Sequence, residues 1–165
     1  MTHRFNVKHY LEGGTLEETR ESVGTPAFQE EVARKAPGFN LKILESTRSG
    51  NRYVMRREVN MDVDIPDIAR RLLRDAFKVW RDEEWDLDTL TCRARTKMNL
   101  PAEFRVTAKL TQEGSRILAN FDWEVDVNIP LVRGFLEKHA EGEIRRFNQL
   151  EMDVVQQVIR ERMAG

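Results

Sequence analysis

Alternation is the first pattern the chain shows. Phe5, Val7, His9 and Leu11 share one side of residues 3–11, and Arg4, Asn6, Lys8 and Tyr10 share the other. That period of two predicts a half-buried strand, ended by Gly13-Gly14. Thr15-Leu-Glu-Glu18 then has the form of a capping box and predicts a short helix to about Val23. Thr25 and Pro26 suit the N-cap and first turn of a second helix, which runs to about Lys35 and stops at Pro37-Gly38.

Strand signals follow. Residues 40–48 and 51–63 flank Ser49-Gly50, a hairpin signal, and Tyr53, Met55, Arg57, Val59, Met61 and Val63 fall on one face. Asp64-Ile-Pro-Asp67 breaks the run, and residues 68–74 allow a helical turn or two. Further strands are predicted near 76–84, 88–98, 102–111 and 116–128. In the last pair Phe104, Val106, Ala108 and Leu110 and then Ile117, Ala119, Phe121, Trp123, Val125 and Val127 make an apolar face. Their neighbours are almost all polar, as in a sheet packed on one side only. Pro130 opens a final helix, roughly Leu131 to Met163, with an apolar stripe of Val132, Leu136, Ala140, Phe147, Leu150, Val154 and Val158 that Glu143 interrupts. A straight helix of that span is about 50 Å long, enough to cross a whole sheet.

The prediction is therefore α+β: one domain over residues 1–165, about seven antiparallel strands closed by a long C-terminal helix. Composition agrees, with 40% hydrophobic and 33% charged residues in a 165-residue chain. Lys plus Arg number 27 against 28 for Asp plus Glu, a net charge of −1. Such balance argues against a role built on attraction to nucleic acid or anionic lipid. Arg93, Arg95, Lys97, Arg105 and Lys109 do line the outer face, but Asp122, Glu124 and Asp126 on the next strand can neutralise them. The lone Cys92 rules out an intrachain disulfide, and with no signal-peptide run or membrane span the expected compartment is the cytoplasm.

The element order of strand, two short helices, about six strands and one long helix resembles the helix-grip fold of the START-like (SRPBCC) superfamily. That superfamily includes birch-pollen-allergen relatives, polyketide cyclases and lipid-transfer proteins. Residues 125–137, Val-Asp-Val-Asn-Ile-Pro-Leu-Val-Arg-Gly-Phe-Leu-Glu, are similar to an uncharacterised bacterial START-like family that carries Ile-Pro-Leu-Val-Gly-Gly-x-x-Glu there; Arg133 replaces the first glycine. The resemblance implies an elongated cavity between sheet and long helix, of the kind that holds lipids, sterols or polyketides.

Candidate chemistry is sparse. Strict alternation puts Arg57 inside, as an anchor for a ligand carboxylate or phosphate or as a structural partner of Glu45, unless a bulge returns it to solvent. His9 shares an apolar face and could act near neutral pH, although a satisfied core histidine is the commoner case. Glu45 falls with Leu41 and Ile43. The expected ligand-binding set is His9, Glu45, Tyr53, Met55, Arg57, Met61, Met98, Phe104, Phe121, Trp123 and Leu136. Three histidines (His3, His9, His139) and Cys92 show no zinc-ligand spacing, and neither a phosphate loop nor a nucleophile elbow appears. No cofactor is predicted. Cys92, beside Leu90 and Ala94, reads as an inert core thiol. The acidic run Asp82–Asp88 reads as a solvated turn, with Trp85 as a rim or partner contact.

Three functions are compatible with this pattern. The first is a binding or transport protein for a hydrophobic, lipid-like molecule. The second is a cyclase- or hydratase-type enzyme using His9, Arg57 or Glu45. The third is an interaction domain with a filled core.

Overall fold

Local sequence chemistry sets the first elements. The computed structural model describes residues 2–164. Strand β1 (His3–Glu12) leads into α1 (Leu16–Val23), where the Thr15 hydroxyl accepts from the Glu18 amide at 3.2 Å. Thr25 caps α2 (Pro26–Lys35) in the same way, with Pro26 in the first turn where its missing N–H costs nothing.

Six strands follow: β2 (Phe39–Ser49), β3 (Arg52–Asn60), β4 (Lys78–Asp86), β5 (Thr91–Met98), β6 (Ala102–Glu113) and β7 (Arg116–Val127). A single helical turn, α3 (Asp67–Arg70), lies between β3 and β4, and α4 (Arg133–Ala164) follows the last strand. The strands form one antiparallel sheet in the order β1-β7-β6-β5-β4-β3-β2. The outer face is charged as expected: Arg105 of β6 meets Asp126 at 2.5 Å and Glu124 at 3.2 Å on β7.

Helix α4 rests on β1, β7 and α2. Two apolar clusters form beneath it. One joins Leu11, Phe28, Tyr53, Met55 and Ile117 to Met152, Val158 and Ile159 of the helix. The other joins Val7, Val106, Trp123 and Val125 to Leu136 and Ile144. No helix among the described residues is long and apolar enough to cross a membrane.

Four expectations change. Strand β3 ends at Asn60, so residues 61–66 form a crossing segment without regular secondary structure instead of more strand. The acidic run is not a turn: Asp82–Asp86 belongs to β4, paired to β3 on one side and β5 on the other. Its inward residues are therefore Val79, Arg81, Glu83 and Trp85, and Trp85 packs on the core instead of forming an outer rim. The register of β2 slips between Ile43 and Glu45. Leu44 is the extra residue, which sends Glu45 to the outer face and turns Ser46 inward, where it meets the Tyr53 hydroxyl at 2.6 Å. In α4 the stripe is rotated slightly from the expected one: Leu150 is exposed while Ile144 and Met152 are buried.

Gly38 is the tightest backbone point beside this interior. Its φ is +134°, and an added Cβ would stand 2.6 Å from Val59 Cγ2. Gly38→Ala should cost about 1–3 kcal/mol in denaturant unfolding. Gly114→Ala, at φ +62° with open space around it, isolates the backbone cost and should destabilise less. Equal losses for the two variants would contradict the packing reading of Gly38.

Candidate ligand-binding site

Because α4 covers the sheet beside β1 and β7, the middle of the concave face is roofed differently. There the segment 61–66, α3 and the inner side of α4 border a partly open cavity of about 210 Å³. Its walls are mainly apolar: Met61, Val63 and Ile65 from the crossing segment, Phe77 just before β4 and Val79 within it, Met98 and Phe104 from β5 and β6. Leu136, Ala140, Ile144 and Phe147 close it from the helix. The space far exceeds what one water needs.

Its polar end is a buried ion cluster. Glu83 Oε1 lies 3.2 Å from Arg57 Nη2 and 2.6 Å from Arg81 Nε, and Arg81 Nη1 lies 4.0 Å from Glu151 Oε2 on α4. Arg57 also places Nη1 3.2 Å from Met55 Sδ. Glu83 is 6% exposed and Arg57 9%, so neither charge is relieved by bulk water. Burial alone would push the Glu83 carboxyl up; the guanidinium groups of Arg57 and Arg81 outweigh it and hold the pKa below the ordinary value. Burial likewise opposes charge on Arg81, but Glu83 and Glu151 more than offset it and push its pKa up. Both shifts favour the charged forms of Glu83 and Arg81. Asn148 and Trp123 in the cavity wall add buried polar atoms, Oδ1 and Nε1, that have no hydrogen-bond partner among the described residues.

Of the residues expected at the site, Arg57, Met61, Met98, Phe104, Trp123 and Leu136 line the cavity. Tyr53 and Met55 are completely buried and pack in the core beside it, the Tyr53 hydroxyl pushed up in pKa by that burial. Phe121 sits edge-on to His9, with ring centroids 5.8 Å apart, outside the cavity lining. His9 has a depressed pKa because burial disfavours the imidazolium, with Asp153 and the amides of Asn148 and Gln149 opposing. Glu45 faces outward, 3.9 Å from Arg56, so the expected Arg57–Glu45 pair does not form. His9, Arg57 and Glu45 thus do not converge on one void, and an acid/base site built from those three has no geometric basis.

Glu83, Arg81 and Glu151 lie outside the expected set. The signal for two of them is present in the sequence: Val79, Arg81, Glu83, Trp85 and Leu87 alternate through the acidic run, and a strand carried through that run puts both charges inside. Cys92, also buried, has its thiol pushed well up in pKa by burial and by Glu83, which fits an inert core thiol.

This architecture is the helix-grip fold, and solved structures of that class superpose over nearly the whole chain. A norcoclaurine synthase point mutant from Thalictrum flavum, in complex with a transition-state analogue, matches with a TM-score of 0.68 and 13% identity, covering 99% of this chain and 97% of its own. The Zhui aromatase/cyclase from Streptomyces sp. R1128 matches at 0.65 and 13%, covering 98% and 96%. TTHA0849 from Thermus thermophilus matches at 0.66 and 14%, covering 94% and 96%. At these identities the likeness establishes the fold alone. No curated protein matches the chain in sequence. The chain belongs to the family described as Protein of unknown function (DUF2505), whose model matches residues 13–159.

Removing the shared carboxylate tests the ion cluster. Glu83→Gln leaves two buried guanidinium groups without their common partner and should cost about 3–5 kcal/mol at pH 7. Because the folded pKa of Glu83 is depressed, its contribution is present above the ordinary carboxylate range and is lost as pH falls through the folded value. The gap between wild type and variant, followed by denaturant melts, should therefore narrow toward acid pH. A gap independent of pH would mean that Glu83 is not an ionised partner.

Proposed function

We propose that this chain binds a hydrophobic, lipid-like small molecule carrying one polar group, in the cavity between sheet and α4. The observation that carries this reading is the roughly 210 Å³ cavity with apolar walls and one charged end. Apolar walls supply affinity through burial, and a few placed polar groups supply orientation. The polar end of the ligand would face Arg81 and Asn148, and its chain or rings would lie along Met61, Met98, Phe104 and Leu136. The norcoclaurine synthase relative holds a transition-state analogue and another relative is an aromatase/cyclase, so the same fold surrounds small molecules elsewhere. The single buried cysteine suits a reducing compartment, and we read the protein as cytoplasmic.

Thermal shift with decanoate, decanol and a panel of aromatic ring compounds tests the reading, alongside Ala140→Phe, which fills the cavity from α4. At least one compound should stabilise the wild type, by about 2.7 kcal/mol at a hundredfold excess over its Kd. The shift should disappear in Ala140→Phe. An unchanged melting temperature across the panel, or an equal shift in the filled variant, would overturn the assignment.

A further inference from the structure

A second constellation stands at the cavity wall, apart from the buried ion cluster. One ligating atom from each of Asp64, His139 and Glu143 lies within 4.8 Å of the other two. His139 and Glu143 are four residues apart on α4, a spacing that stacks them on one helix face. Asp64 reaches them from the segment between β3 and α3. His139 Nε2 is 2.6 Å from the backbone oxygen of Asp64 and 3.8 Å from its Oδ2. Glu143 interrupts an otherwise apolar stripe and lines the cavity with its side chain 22% exposed, its carboxylate held at 2.6 Å by Arg146.

We infer that Asp64, His139 and Glu143 form a binding site for one divalent transition-metal cation of the zinc type. One imidazole and two carboxylates are a donor set that borderline divalent cations accept. Two carboxylates against one neighbouring guanidinium leave the site electrostatically ready for a cation. A cation would take the place of the proton between His139 Nε2 and Asp64, using the nitrogen lone pair and the Asp64 oxygens. Bonds of about 2.0–2.1 Å around a tetrahedral ion bring donors to about 3.3 Å of one another, so the side chains draw inward. Asp64, 74% exposed on the crossing segment, can supply that movement. Three protein donors leave a fourth position open, and all three residues border the cavity, so that position is accessible from it. Spacing among histidines and cysteines alone could not reveal this site, because it uses one histidine and takes its third ligand from 75 positions earlier in the chain.

The probe is cobalt(II), added to chelator-treated protein and followed by its visible d–d absorption. Saturation at one equivalent per chain, with bands of low-coordinate cobalt that zinc displaces, is expected. His139→Ala and Glu143→Ala should each weaken binding by more than about tenfold. Circular dichroism would confirm that both variants are folded. His3→Ala, which removes an imidazole paired with Glu141 at 2.7 Å, should leave the titration unchanged. Absence of saturable one-equivalent binding in the wild type, or binding untouched by His139→Ala, would overturn the assignment.

Discussion

A single-sided sheet must be covered, and here one helix does most of that work. Seven strands present one apolar face, and α4 lies along the β1–β7 side of it, braced by α2. Over the middle of the face, the crossing segment 61–66 and one turn of helix complete the cover that α4 begins. Short elements cannot fill that space as a long helix would, and the cavity is the consequence. Its apolar walls belong to the same faces that build the two core clusters on either side.

The same geometry explains why charge is tolerated inside. Arg57 and Arg81 are opposite one another across the β3–β4 ladder, and like charges at such positions repel unless something lies between them. Glu83, one inward position along β4, reaches both. Replacing such a cluster with apolar side chains often costs nothing, so stability alone does not account for it. A polar end to a mainly apolar cavity, the role proposed above, is a use for it that packing does not provide.

The architecture is largely legible in the sequence because its signals are local and redundant. The β6–β7 hairpin alternates over more than twenty residues, both short helices carry a threonine cap, and α4 keeps an apolar stripe over its length. What stays hidden depends on non-local events. The density of carboxylates in Asp82–Asp88 imitates a solvated loop, and only pairing on both sides makes β4 a strand there. One extra residue at Leu44 reverses the facing of Glu45, and a bulge leaves no mark in the periodicity before it. Alternation places Arg57 inside correctly, but its partner comes from β4 and not from β2 on the other side. Asp64 meets His139 only because the crossing segment closes over the helix.

These features join into one account: a helix-grip domain of a family of unknown function, with a roofed cavity polar at one end and a cluster of metal-type donors at its wall. Native mass spectrometry of the protein as isolated from cells tests its central claim most directly. The account predicts a non-covalent adduct of a small apolar molecule, released at higher collision energy and recoverable in organic extract. Only the bare chain mass, in preparations from several expression hosts under gentle conditions, would contradict it.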